Sequence, residues 1–506
     1  MTINMADRLG DWTPEELEQA GEQVMATIRE YFAGLGEMPV LTDIAARDLL
    51  SILDSPLPEQ GQPFAQILAE TKANVIPHLT HWNHPNYFAY FSACSSGPGI
   101  LADALISALN VNLFLWKTSP AGSALETVVL RWLAEMTGYP ADADGVLLNG
   151  ASLATFYALA AAREATGLNI REEGMIGRNL PVLRCYATEH AHSSIDKAVI
   201  ALGVGLNNLV KIPGDEQHRM RPDLLEAAIQ SDIAKGYKPF AAVAVAGTTS
   251  TGAADPLAEI AAVCREHGLW LHVDAAYGGL YNLVPEIRAQ VDDFGVADSI
   301  VINPHKVMFT PLEVTALYSR RKGKLAAAFS LVPEYLRTEP QDGSINYMDF
   351  SLQLGRSFRA LKLWWIIRTF GREGIARRMA EHRRIALDLA VAVAADPDFT
   401  PVGASPYPLV CFRAFPRDLQ AELAGAAPER QRAIRTYIDR LNMATMERVN
   451  ADRQHFITHS GLHDGYILRV AIGNIRTTDE HVLAVWEKIR QSASAADAAL
   501  RPKWPG

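Results

Sequence analysis

The spacing of apolar positions changes character twice along the chain. Between Thr13 and Pro85, Leu17, Val24, Met25, Ile28 and Phe32 recur at helical spacing. They follow Thr13-Pro14-Glu15-Glu16, a capping residue, a proline suited to the first helical position and acids for the first turn. From Thr127 amphipathic helices alternate with short apolar runs. Helices are predicted at 127–136, 153–166, 222–235 and from 255 to 267, with a further one ending near Leu202; strands are predicted at 145–148, 182–187, 209–212, 241–245, 270–274 and 300–302. Such alternation is the pattern of an α/β protein with a largely parallel sheet. After Phe370 the elements read as helices at 372–394, 430–449 and 479–492 and strands at 409–413 and 466–472, a small α+β lobe with a frayed tail from about Ser494. The chain is accordingly divided into a helical segment at 1–85, a large domain at 86–380 and a small domain at 381–506.

The strand at 270–274 ends in Asp274 and a Gly-rich turn, Ala275-Ala276-Tyr277-Gly278-Gly279; the strand at 300–302 leads into Asn303-Pro304-His305-Lys306. An acid and an amine thus arrive at one edge of an α/β sheet, where ligands usually bind. Alone, either residue is more simply read as a helix cap or a solvated lysine. Together they suit pyridoxal 5'-phosphate, whose aldehyde condenses with a lysine and whose ring nitrogen works as an electron sink while a carboxylate keeps it protonated. Asn149-Gly150-Ala151-Ser152 opens a helix after the strand at 145–148, and the free N–H groups of such a start seat a phosphate. Gly247-Thr248-Thr249 and His192 fall at the ends of neighbouring strands. His192 reads alone as a cap or core histidine; beside a cofactor ring its imidazole can stack.

Composition narrows the partners. With 506 residues, 49% hydrophobic, and a net charge of −10, neither nucleic acid nor an anionic membrane is favoured. Cys94, Cys185, Cys264 and Cys411 follow no paired or metal-ligand spacing and read as reduced thiols; no signal peptide or membrane-length apolar run is evident, so a cytoplasmic location is expected. His78, His81 and His84 lack the i, i+4 spacing and carboxylate of a helical zinc site, and no metal is expected. Trp82, His84 to Ser92 and Asn112 to Trp116 are rich in aromatics, which are either core or the wall of a pocket for a flat ligand. Glu313, buried in an apolar run, has the look of a catalytic acid; Arg469 reads as an ion pair at the surface or between domains, with carboxylate binding as the alternative.

His84-Pro85 with Tyr90-Phe91, Ser119-Pro120-Ala121 with Leu125-Glu126, Ala191-His192-Ser193-Ser194, Gly247-Thr248-Thr249, His272 to Tyr277 and Asn303-Pro304-His305-Lys306 occur in one order. Across 63–370 the chain thereby resembles the group II pyridoxal-phosphate-dependent amino acid decarboxylases, most closely the aromatic-L-amino-acid decarboxylase branch. The resemblance implies fold type I: a large seven-stranded domain, a small C-terminal domain and a homodimer. It implies Lys306 as the Schiff-base lysine, Asp274 as the pyridinium partner and His192 as the ring-stacking residue. Ala151, Ser152, Asn303 and His305 would contact the phosphate, and Thr249 and Ala276 the other side of the ring. Trp82, Tyr90, Asn112 and, from the neighbouring subunit, Phe114 would meet the substrate, and Tyr335 would protonate its Cα. Val307, Ser92-Ala93 and Asn112 depart from the family pattern and bear on which side chain is accepted. At Glu313 the family carries an acid too, and the resemblance implies a structural role for it. An amino acid decarboxylase, an oxygen-consuming aldehyde synthase and a binding protein retaining the fold are the competing readings; Tyr335 and His192 favour the first.

Overall fold

The computed structural model describes residues 10–331 and 344–504. Seven strands, β1 (Asp144–Leu148), β2 (Leu183–Thr188), β3 (Leu209–Ile212), β4 (Lys238–Val245), β5 (Trp270–Asp274), β6 (Ser299–Ile302) and β7 (Thr315–Ser319), form a sheet in the order β1-β7-β6-β5-β4-β2-β3. Only β7 runs against the rest, antiparallel to both β1 and β6. The other strands therefore bring their C-terminal ends to one edge. Register places Val245, Asp274 and Val301 side by side, so β4, β5 and β6 deliver their following loops to the same place.

Helices cover the sheet, which explains why its central strands are apolar on both faces rather than alternating. Ala241 to Ala244 of β4 are fully buried, and their short side chains let helix Ala151–Glu164 pack directly across the strands. One charged pair is enclosed in this core. Arg356 reaches Glu126 at 2.5 Å with both side chains almost inaccessible, and it also donates to the carbonyls of Leu113 and Leu147. The Leu147 N–H in turn donates to Glu126, so helix Pro120–Thr137, β1 and the Leu113 segment share one anchor.

A second sheet of β8 (Phe399–Pro401), β9 (Leu409–Ala414), β10 (Thr458–Leu462) and β11 (Gly465–Ala471) is antiparallel, in the order β10-β11-β9-β8. Its own core includes Leu389, Phe412, Tyr437, Trp486 and Ile489. Phe88 joins that core, and its segment is hydrogen-bonded to Phe456 and Ala471. The segment around Phe88 is thus threaded against the small sheet.

The Thr13 cap is present as a reciprocal pair with Glu16, starting helix Pro14–Gly34. The C-terminal tail differs from expectation. Helix Asp479–Leu500 continues well past Ser494 with Ala493 and Ala496 buried, because small side chains allow it to lie close against helix Pro428–Ala451. β7 was not distinguished by the apolar pattern. The four cysteines are free and buried, and among the described residues no helix is long and apolar enough to cross a membrane.

Candidate active site

The strand ends open into a cavity of about 310 Å³ that gathers Lys306, Asp274, His192, Ala151, Ser152, Thr249, Ala276, Asn303 and His305. One side is the start of helix Ala151–Glu164. Gly150 supplies no side-chain cap, so the first N–H groups of the helix remain available. Asn149 Oδ1 beside them is buried without a partner. Asn303 Oδ1 accepts from Thr315 Oγ1 at 2.7 Å, and His305 Nδ1 accepts from the Val314 N–H at 3.1 Å. That bond leaves the proton of neutral His305 on Nε2, as a donor. Burial, followed by the nearby Lys306 charge, pushes His305 down to about 4 and keeps it neutral.

His192 is fixed in the same way, its Nδ1 accepting from the Ser194 N–H at 3.1 Å, which assigns the proton to Nε2. Burial lowers its pKa, Asp274 opposes the shift and Lys306 adds to it. Asp274, 7% exposed, spends Oδ1 on the Ala276 N–H at 3.1 Å. Two glycines shape the turn around it. At Gly278 a Cβ would lie 2.4 Å from the Ala246 carbonyl, and Gly247 adopts φ +95° with Tyr277 2.9 Å from a Cβ position.

The Lys306 side chain forms no hydrogen bond or ion pair among the described residues; its Nζ stands 5.3 Å from the centroid of Phe91. Enclosure by protein lowers its pKa, with Asp274 acting against the shift. A lysine so placed reaches its nucleophilic neutral form more readily than one in water. Phe91 stacks on Tyr277 at 3.8 Å, and Arg469 approaches the same ring at 5.5 Å.

The aromatic residues assigned to substrate are not brought into this cavity within one chain. Trp82 and Tyr90 stack on each other at 6.0 Å and are 39% and 54% exposed. Phe114 packs with Leu115 and Met348. Asn112 is exposed and accepts from the Arg356 N–H at 2.9 Å. Tyr335 lies outside the described residues.

Two expectations are corrected. Glu313 is 45% exposed and paired with Arg359 at 3.1 Å at the rim of the cavity, because the chain there turns outward beside Leu312, itself 63% exposed. Arg469 is buried and has no acid partner; it donates to the Ser250 carbonyl and to Thr458 Oγ1, and its Nη2 is unpartnered. Phe91, Asn149, Ser194 and Tyr277 also line the cavity and received no individual role from the sequence. Their positions beside Tyr90, Gly150, His192 and Ala276 were the available signal.

The residues fit pyridoxal 5'-phosphate: a free amine, a carboxylate across the cavity, a flat imidazole and an uncapped helix start with an orphaned amide oxygen occupy one enclosure. On a mostly parallel sheet this arrangement suits a pyridoxal-phosphate enzyme. The chain belongs to the pyridoxal-dependent decarboxylases, whose conserved-domain profile matches residues 47–415. It is 33% identical over 501 residues to an aromatic-L-amino-acid decarboxylase of Sus scrofa, covering 96% of this chain and 98% of that one. It is 32% identical over 492 residues to a phenylacetaldehyde synthase of a Rosa hybrid cultivar, covering 95% and 94%. A crystal structure of Oryza sativa TDC with PLP and tryptamine superposes with TM-score 0.89 at 31% identity, covering 96% of this chain and 99% of that one.

Proposed function

We propose that the protein decarboxylates an aromatic L-amino acid, tryptophan, tyrosine, phenylalanine or dopa, to the amine and CO2. The observation that carries this reading is the Lys306 amine and Asp274 carboxylate facing one cavity from adjacent strand ends. When bound, pyridoxal 5'-phosphate supplies the electron sink for loss of CO2. Lys306 would hold the cofactor through its aldehyde. Asp274 would keep a proton on the ring nitrogen, and Ala151, Ser152, Asn303 and His305 would hold the phosphate. His192, whose Nδ1 accepts from the Ser194 N–H, would cover the ring and keep its Nε2–H free to donate. Tyr335 is the residue the family resemblance assigns to returning a proton to the substrate Cα.

The substrate end is completed by a second copy of the chain in a homodimer, and the protein works in the cytoplasm. Leu17, Met25, Leu50 and Leu57 of the N-terminal segment, and Leu101, Leu105 and Leu109 of helix Gly97–Leu109, are exposed apolar side chains that such an assembly would cover. Phe114 of one copy then meets the cavity of the other.

The likeness to an aldehyde synthase at nearly the same identity supports a second reading, oxygen-consuming formation of an aromatic aldehyde. Incubating the holoenzyme with each of the four amino acids and measuring amine, CO2, aldehyde and peroxide separates the two. The expected result is amine with stoichiometric CO2; aldehyde and peroxide in its place would favour the second reading. Tyr335→Phe is expected to cut amine and raise aldehyde, ammonia and peroxide in oxygen. Amine at the parental rate in that variant would remove Tyr335 from proton transfer.

A further inference from the structure

A second cavity, of about 220 Å³, lies in the seam between the two sheets and shares no lining residue with the Lys306 cavity. Thr251 and Gln290 reach it from the large-sheet side, and the segment 401–411 with one face of helix Arg359–Ala395 walls the other. That face presents Arg383, Ala386, Leu387 and Ala390, three and four residues apart. Val402, Leu409 and Val410 continue the apolar lining.

Arg383 is the exception in this apolar wall. It is half-buried, forms no hydrogen bond or ion pair among the described residues, and has a buried Nε with no partner. Arg384 beside it, by contrast, is paired with Glu381, Asp388 and Asp479. An Nε–H withdrawn from water without an acceptor is costly, and a carboxylate in the guanidinium fork offsets that cost with two parallel hydrogen bonds. A cavity of roughly 150 Å³ holds a benzene ring. The space here accommodates one ring and a carboxylate, with the ring against Ala386, Ala390 and Val402.

We infer that the cavity between helix Arg359–Ala395 and segment 401–411 is a binding site for a small single-ring monocarboxylate, held by Arg383. Because both sheets' sides contribute walls, an occupant stabilises their docking as well as itself. The site is separate from Lys306 and does not depend on which amino acid is turned over.

The test is titration of the full-length holoenzyme with 4-fluorobenzoate, followed by fluorine NMR, against 4-fluorobenzylamine as the cation of similar shape. The expected result is saturable binding of one 4-fluorobenzoate per chain below about 10 mM, with the cation excluded from that site. Arg383→Met should weaken it by about tenfold or more, the loss expected for a charge-assisted hydrogen bond. Ala390→Phe should block it by filling the cavity, and circular dichroism confirms that each variant is folded. Should Ala390→Phe fail to fold, Arg383→Met decides alone, since Arg383 makes no bond whose loss would unfold the chain. Equal affinity in Arg383→Met and the parent would place the ligand elsewhere and overturn the proposal, as would no saturation up to that concentration.

Discussion

The two ends of the catalytic region are built differently. The cofactor end is assembled by a single chain: Lys306, Asp274, His192, Asn303 and His305 converge on one cavity, and both histidines are oriented by backbone bonds. At the aromatic end Trp82 and Tyr90 are substantially exposed, Asn112 lies in solvent, and Phe114 packs away from the cavity. Cofactor chemistry is therefore a property of the sheet edge, which parallel strands create from local sequence. Trp82, Tyr90 and Asn112 instead lie on surfaces left exposed in one chain.

The comparison is broken most directly at the cofactor end. Lys306→Ala is expected to abolish turnover while leaving the assembly intact, because the side chain makes no structural bond among the described residues. Product formation with size-exclusion chromatography checks it, and normal turnover would defeat the assignment. Asp274→Ala should lose both activity and cofactor retention, read from the bound chromophore after gel filtration.

Arg356 ties the two ends together, bonding Leu113 beside the aromatic segment and Leu147 just before the phosphate-side turn. Arg356→Ala strands Glu126 as a buried charge and should destabilise the fold by roughly 3–5 kcal/mol. Denaturant unfolding measures this. A loss below about 1 kcal/mol would mean that the pair adds no more than a surface salt bridge.

A shared pH dependence sharpens the same contrast. Burial pushes His84 at the aromatic end, His305 at the cofactor end, and the core residues His272 and His382 each from 6.5 to about 4. Between these values the unfolded chain binds more protons than the folded one. Stability from these histidines is therefore present above about 6.5 and is lost as pH falls toward 4. Asp255, raised to about 7 by burial, contributes in the opposite direction. With four histidines against one carboxyl, the thermal midpoint should fall on acidification through this window; a flat or rising profile would contradict the burial argument. His305→Asn should flatten the profile slightly while weakening phosphate retention, and His84→Asn should flatten it without affecting the cofactor.

The same division marks what could be read from the sequence. Asp274 and Lys306 were legible because each is a lone charged residue following a short apolar strand, and parallel topology then places both at one edge. β7 was not, since Thr315–Ser319 mixes polar and apolar residues and its burial comes from pairing with β1 and β6. The family resemblance assigned Tyr90 to the substrate and gave Phe91 no role, although Phe91 lines the Lys306 cavity. Tyr90 takes φ +48°, which breaks strand alternation; its ring stays outside while Phe91 beneath it carries Lys306. Arg469 was placed on the right strand, but its bonding to Ser250 depends on how two distant sheets dock, which no local pattern encodes. The alanines after Ser494 looked like a tail because small residues signal close packing only once the partner helix is known.

Asn112 offers the finest test, because both ends of the comparison claim it. As a pocket residue it would discriminate among aromatic side chains, and replacing it would move the ratio of kcat/KM values by about 1–3 kcal/mol, the scale of one pocket contact. Within the chain, however, its Oδ1 accepts from the Arg356 backbone N–H at 2.9 Å, fixing the segment whose side chain holds Glu126. That bond should contribute about 1 kcal/mol to stability. Asn112→Asp keeps the acceptor and changes the charge offered to substrate, whereas Asn112→Ile removes the acceptor and offers an apolar face. If specificity dominates, both variants shift the ratio between tryptophan and tyrosine, and the thermal midpoint hardly moves. If the backbone bond dominates, Asn112→Ile lowers the midpoint, Asn112→Asp does not, and the substrate ratios stay put. Measuring both quantities on both variants assigns the residue. The expected outcome is a combination, with Asn112→Ile losing about 1 kcal/mol of stability and also changing preference, since a second copy would bring substrate to the exposed side of this segment. A midpoint and a ratio both equal to the parent in Asn112→Ile would remove the residue from each role.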